Sequence, residues 1–265
     1  MTALQTGAIL EARNIRKAFG AVVAADDISV AIPPAARLAL IGSNGAGKTT
    51  FVNMVTGYLK PDSGTVLLDG KDVTGLAPRL ITRAGMCRSF QIPQLCESMS
   101  PLDNVLVASE IAGENAGRKR SFFRSAHTEE SISAAHAILQ RFGLSQYTDQ
   151  PVSELPGGVR KLIDIAMALA SGPRVLLLDE PTSGVSSQEK FPIMDRVMKA
   201  LEGERAAVIF VEHDMEIVTR YADRVLAFYS GRVIADDTPD AVMANEEVQL
   251  YVTGRRAAGS AKVAP

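Results

Sequence analysis

The chain has 265 residues, 46% hydrophobic and 22% charged, which supports a buried core and excludes disordered, collagen-like and disulfide-scaffold classes. Lys and Arg number 28 against 30 Asp and Glu, a net charge of −2, so no global field draws a polyanion and nucleic acid is not an expected partner. Domains run to roughly 100–200 residues, so one large domain or one domain with a sizeable inserted lobe is expected. Cys87 and Cys96 form neither a metal spacing nor a disulfide framework and read as free thiols of a reducing cytosol. Residues 1–10 lack the basic and apolar stretches of a secretory signal, and no window reaches the ~18 uncharged apolar residues of a membrane span. A soluble, cytosolic protein is expected.

In chain order, apolar clusters at residues 28–32 and 38–41 read as strands, with turns at Pro33-Pro34 and Gly42, and residues 64–70 read as a short strand between turn glycines. From about residue 92 to 171 the character becomes helical. Residues 131–142 and 160–170 place Ala, Ile, Leu and Met three and four apart. A basic run at residues 118–124 reads either as a solvated loop or as a contact for a membrane surface or partner. Residues 175–178 and 207–211 are unbroken apolar runs, as in parallel strands covered on both faces. Between them, residues 186–201 predict a helix opening on Ser186 or Ser187, with Glu189 in its first turn. Strand, helix, strand gives an α/β fold with a helical lobe inserted at about residues 92–172. The tail, residues 255–265, rich in Ala, Gly and basic residues, is expected to be disordered.

The run Gly42, Ser43, Asn44, Gly45, Ala46, Gly47, Lys48, Thr49 fits the phosphate-loop pattern G-x-x-x-x-G-K-[ST], with Thr50 next. It follows a strand and opens a helix, the order the physics requires. Glycines let backbone N–H groups turn inward around a phosphate, and the helix N-terminus adds a positive dipole end. Lys48 supplies charge to the β- and γ-phosphates, and the Thr49 hydroxyl can ligate Mg²⁺. The apolar strand at residues 175–178 ends in Asp179 and Glu180, which places two carboxylates at the edge where α/β folds bind ligands. Asp179 can hold a metal through water and Glu180 can polarise an attacking water. Together these residues imply nucleoside triphosphate hydrolysis. No Asn-Lys-x-Asp guanine motif is present.

The remaining motifs resemble the nucleotide-binding subunit of an ABC transporter, across nearly all of residues 9–254. Ser89-Phe90-Gln91 is similar to that family's Q-loop and Leu155-Pro-Gly-Gly-Val159 to its signature. Leu178-Asp-Glu-Pro181 resembles the Walker B end, Ser183-Gly-Val-Ser186 the D-loop, and Val211-Glu-His213-Asp the switch histidine. Phe19, in Lys17-Ala-Phe-Gly20, matches the aromatic that stacks on adenine, though its residue type alone fits a core equally well. His213 alone would read as an ordinary strand-end histidine. His127 and His136 lack such context and read as surface residues.

The resemblance implies a parallel-sheet core like that of RecA, an antiparallel β subdomain and an inserted helical subdomain. It implies ATP and Mg²⁺ as cofactors, with Thr49, Gln91 and Asp179 on the metal and Glu180 and His213 catalytic. It also implies a second ABC ATPase subunit, identical or homologous, whose nucleotide is completed by Gly157 and Gly158 of this chain. Permease subunits would hold the protein on the cytoplasmic face of the inner membrane, with a solute-binding protein acting indirectly. Thr56-Gly57, Pro61, Leu68-Asp-Gly70, Asp72-Val-Thr-Gly75, Arg88-Ser-Phe-Gln91, Asn104-Val-Leu106 and Glu212-His-Asp-Met215 further resemble the branched-chain amino acid uptake group, with its urea and short-amide relatives.

The chain departs from the family pattern on the signature side. Pro156 replaces the signature Ser, Val159 the Gln, and Ser186 the D-loop Asp. Pro156 has neither a hydroxyl nor a backbone N–H. A soluble ABC ATPase of DNA repair or translation, and a regulatory protein that binds ATP with little turnover, are the alternatives to an import ATPase.

Overall fold

The computed structural model describes residues 7–115 and 128–254. The basic run 118–124, His127 and the tail 255–265 lie outside the described residues. The chain divides into two units, one made of Met1–Leu76 with Val211–Pro265, the other of Ala77–Phe210.

In the first unit, β1 (Leu10–Phe19) and β2 (Val22–Ile32) form an antiparallel pair, and β1 also pairs with β4 (Ser63–Leu68), which pairs with β5 (Lys71–Asp72). Leu10 faces Ile32 on one side and Leu68 on the other. The β1–β2 register shifts between Ala12 and Ile15, where Asn14 takes φ 49°, opposite Asp27 at φ 57°. The Asn14 amide donates to Asp27 Oδ1 at 2.7 Å, so this bulge carries its own polar pairing. Between these strands and β4 the chain forms β3 (Arg37–Gly42) and α1 (Lys48–Val55). β3 is buried from Leu38 onward, as a strand covered on both faces must be.

In the second unit, α2 (Pro78–Arg83) leads to β6 (Met86–Ser89), then α3 (Pro101–Asn115), α4 (Glu129–Arg141) and α5 (Gly157–Ala170). β7 (Val175–Asp179), α6 (Ser187–Ala200) and β8 (Ala207–Val211) follow. β6 runs parallel to β7, with Ser89 opposite Leu178. The expected helix after Ser186 forms, and Glu189 closes its first turn: the Ser186 hydroxyl and N–H both donate to the Glu189 carboxylate. α3 packs on α4 and α5, burying Val105, Leu106, Ala135, Leu139, Leu162, Ile165 and Ala166.

The chain re-enters the first unit through α7 (Met215–Tyr221), β9 (Arg224–Tyr229), β10 (Arg232–Asp237) and α8 (Pro239–Ala244). β9 lies parallel to β3, from Leu38 opposite Arg224 to Gly42 opposite Phe228, and Phe228 meets Phe51 of α1 at a ring separation of 5.6 Å. β10 returns antiparallel through a turn in which Ser230 and Gly231 both have positive φ, the geometry whose twist matches flanking strands. Arg224 forks onto Asp236 and also donates to Ala31 O, tying β9, β10 and β2 together. No helix among the described residues is long and apolar enough to cross a membrane.

The two thiols sit in opposite environments. Cys96 is exposed, whereas Cys87 lies within buried β6, where desolvation pushes its thiol up against a smaller opposing effect of a Ser171 hydrogen bond. Alkylation of the folded protein near neutral pH should therefore label Cys96 quickly and Cys87 only after unfolding. Mass spectrometry showing equal native labelling of both would contradict this burial.

Candidate functional site

The phosphate-loop residues lie where β3 leaves the sheet. Gly42 ends the strand, Ser43, Asn44 and Gly45 are exposed, Ala46 and Gly47 are buried, and Lys48 opens α1. Gly47 is the helix N-cap at φ 108°, and a Cβ there would stand 2.6 Å from Ala24 O. No residue with a side chain fits both constraints. The loop is pinned from the other side by the Gly231 N–H, which donates to Ala46 O at 2.9 Å.

The helix start carries no side-chain cap and no acidic residue in its first turn, so no negative side chain offsets the positive end of its dipole. Lys48 is 6% exposed, and its ammonium donates to Gly42 O at 2.5 Å and Ser43 O at 3.1 Å. The side chain thus folds back over the loop rather than extending into solvent. Thr49 is exposed and Thr50 half-buried. Backbone N–H groups, an ammonium and hydroxyls, with no carboxylate in the turn, form a donor set that fits a polyphosphate chain.

His213 and Phe19 belong to the same unit. The Glu212 N–H donates to Leu40 O at 3.3 Å, so His213 leaves the sheet beside the strand that carries the loop, and it is exposed. Phe19 ends β1 at 52% exposure, with the Lys17 ammonium 5.7 Å from its ring centre. Of the two readings of Phe19, the core one fails on this exposure.

The second unit assembles the carboxylates. Val175 to Leu178 are fully buried, then Asp179 and Glu180 become half-buried as the strand ends. Asp179 Oδ2 pairs with Arg88 Nη2 at 2.5 Å, and Gln91 Nε2 donates to Glu180 Oε2 at 2.7 Å. The guanidinium of Arg88 also stands 5.0 Å from the Phe90 ring centre. Glu180 adopts φ 49°, the left-handed region that a residue with a Cβ enters at a cost. Gln91, Asp179 and Glu180 are therefore brought together, and Arg88 joins them. The motif Arg88-Ser-Phe-Gln91 gives no sign of this partner for Arg88; the parallel β6–β7 register is what delivers it.

Gly157 and Gly158 form the first turn of α5 behind Pro156, the N-cap, which makes no side-chain cap bond. That first turn also lacks acidic residues, leaving its N–H groups for an outside acceptor. Pro156 and Gly157 are exposed, and Gly158 is half-buried against Ile193. Among the described residues no cluster of three or more His, Cys, Asp or Glu could hold a metal ion by itself. A metal here would depend on nucleotide oxygens and water for most of its shell, as Mg²⁺ commonly does.

Residues 25–183 match the profile of the family described as ABC transporter. The chain is similar to the probable branched-chain amino acid transport ATP-binding protein LivG of Archaeoglobus fulgidus, 33% identical over 92% of this chain and 95% of that protein. It is also 31% identical to the high-affinity branched-chain amino acid transport ATP-binding protein LivG of Escherichia coli K12, over 91% and 95% of the two chains. Among solved structures, the ADP conformation of an ATP-binding cassette of an ABC transporter superposes with TM-score 0.79 at 31% identity, covering 92% of this chain and 97% of that one. A nucleotide-free cassette gives 0.77 at 31% identity over 91% and 97%.

The Arg88–Asp179 pair lies between surface and core, so its loss should cost about 1–2 kcal/mol, between the values for exposed and for buried pairs. Arg88→Met should lower the melting temperature by a few degrees, and Asp179→Asn, which still accepts from Arg88, by less. Equal melting of Arg88→Met and the parent protein would show that the pair contributes nothing.

Proposed function

The chain belongs to the ABC transporter family, and from that premise we propose that it is the ATP-binding and hydrolysing subunit of an importer for branched-chain amino acids or similar small polar solutes. The observation that carries this reading is the phosphate loop, where Lys48 is folded over the carbonyls of Gly42 and Ser43 at an uncapped helix start. The names of the relatives from Archaeoglobus fulgidus and Escherichia coli support the solute class.

In this reading the loop from Gly42 to Thr50 wraps the phosphates, Lys48 neutralises β- and γ-oxygens, and Phe19 stacks on adenine. Thr49, Gln91 and Asp179 would hold Mg²⁺, which when bound neutralises charge building on the phosphate oxygens. Glu180 accepts a proton from the water that attacks the γ-phosphorus, and His213 donates to the γ-phosphate. The bond to the leaving ADP oxygen breaks, giving ADP and phosphate. Gly157 and Gly158 offer the N–H groups of α5 to the nucleotide of a second ABC ATPase subunit, identical or homologous. Permease subunits bring the pair to the cytoplasmic face of the membrane, and a solute-binding protein acts from the other side.

Lys48→Ala removes charge-assisted contacts worth roughly 1.5–3 kcal/mol each and should weaken ATP binding by at least about a hundredfold. Glu180→Gln should bind ATP normally but stop turnover, and it should accumulate an ATP-dependent dimer in sedimentation. Near-parental hydrolysis by Glu180→Gln would remove this residue from the role of base.

Pro156 generates a second expectation, because its exposed position has no hydroxyl to offer the partner's nucleotide. One missing donor at developing charge costs roughly 3 kcal/mol, on the order of a hundredfold in rate. In an assembly whose partner carries an ordinary signature, the two sites should turn over unequally. Pro156→Ser should then accelerate the partner's site when that site alone is competent. An unchanged rate would mean that the N–H groups of Gly157 and Gly158 suffice.

A further inference from the structure

The exposed ring of Phe19 stands at the tip of the β1–β2 hairpin. The β1–β4 register ends with Arg16 opposite Ser63. Beyond that point β1 pairs on the β2 side, with Ala18 opposite Val23 and Phe19 opposite Val22. Gly20 turns the tip at φ 59°, and Val22 is itself 66% exposed. One residue takes over where the β4 ladder stops. Pro61 is buried, and Asp62 follows it at the entry to β4. The Asp62 N–H donates to Arg16 O at 2.8 Å. Its Oδ1 accepts from the Lys17 ammonium at 2.6 Å, and its Oδ2 from the Ala18 N–H at 2.8 Å. Three consecutive residues leading to Phe19 are thus held by one residue from β4. The same Lys17 ammonium stands 5.7 Å from the Phe19 ring centre, as residues two apart on a strand share a face. The Lys17 bond, and after it the Ala18 N–H, hold the Asp62 carboxyl below its ordinary range, so this acceptor is ionised near neutral pH.

We propose that Asp62 is a positioning residue for base recognition, anchoring the hairpin tip so that Phe19 offers a fixed ring face to the adenine of ATP. This inference rests on the stacking role proposed above for Phe19. Its physical basis is that stacking is directional. A ring on a loose tip must be ordered when the base arrives, and that loss of freedom weakens binding. Asp62 sets the order in advance. Both bonds to its carboxylate are charge-assisted, and one of them falls on the residue next to Phe19. Asp62 lies outside the phosphate loop, so its loss should be felt by the base and not by the phosphates.

The test is calorimetric titration of the full chain with Mg-ATP and, separately, with magnesium tripolyphosphate, which offers phosphates without a base. Asp62→Ala should weaken Mg-ATP binding by about tenfold, on the order of one base–aromatic stack, and leave tripolyphosphate binding within about twofold of the parent. Phe19→Ala should show the same selectivity. In a chain that already carries Phe19→Ala, Asp62→Ala should cost little more, because the two residues act through one contact. Asp62→Asn keeps an acceptor for the Ala18 N–H and provides a second variant if Asp62→Ala does not fold; it should weaken Mg-ATP binding alone, by a smaller factor. A role in stability alone would lower melting and act equally with or without the Phe19 ring. Unchanged Mg-ATP affinity in Asp62→Ala, a loss shared with tripolyphosphate, or an equally large loss in the Phe19→Ala chain each overturns the inference. Parental Mg-ATP affinity in Phe19→Ala overturns the stacking role itself, and the inference with it.

Discussion

A parallel strand covered on both faces gives a polar side chain no exit along its length, so chemistry can begin only where the strand leaves the sheet. β3 is buried from Leu38 to Gly42 and then releases the exposed Ser43. β7 is buried from Val175 to Leu178 and then releases Asp179 and Glu180. β8 is buried throughout and is followed by Glu212 and the exposed His213. In each case hydrophobic burial along the strand determines the point at which the first functional group meets solvent.

At those exits the charges are held rather than left loose. The Lys48 ammonium rests on two carbonyls of its own loop, the Arg88 guanidinium on Asp179, and the Gln91 amide on Glu180. The backbone of Glu180 is bent into the left-handed region, at a cost of order 1 kcal/mol, and its carbonyl accepts from the Ser183 N–H at 3.0 Å. Strain at this residue fits a carboxylate whose direction matters more than its comfort. The same bend turns the chain out of β7 toward α6, so the position of the carboxylate and the route of the chain are one feature.

Much of this was legible in the sequence, for reasons that differ by element. β3, β7 and β8 are unbroken apolar runs, and the phosphate loop has a pattern that almost nothing else explains. β1 escaped because its bulge at Asn14 breaks the alternation that marks a strand, leaving Leu10, Ala12 and Ile15 buried out of period. β10 escaped because it ends in Asp236 and Asp237, whose value lies in a partner, Arg224, that no local window reveals. Phe19 could be read two ways until its exposure was known. Arg88 meets Asp179 across 91 residues, through a strand register that composition does not encode.

The buried charges of α5, Lys161 and Asp164, were the least legible, since Lys and Asp on a helix read by default as its solvated face. Energetics explains why the fold keeps them. A pair of apolar side chains of similar size would avoid the desolvation of Lys161 and Asp164 and would often be no less stabilising. Apolar groups cannot, however, bond to the carbonyls of Phe90 and Gln91, as Lys161 does, or to the N–H of Gln94, as Asp164 does. These groups are part-buried, so leaving one unsatisfied costs less than the about 1–3 kcal/mol of a fully buried one, and the cost falls on several of them at once. The loop carrying Gln91 has no strand or helix ladder of its own after Ser89, so its backbone must find partners elsewhere. α5 supplies them with one cation for the carbonyls and one anion for the N–H and the Ser89 hydroxyl, and the two charges offset each other. What holds the loop is therefore specific in direction as well as in energy, and that directionality is what an apolar contact could not have provided.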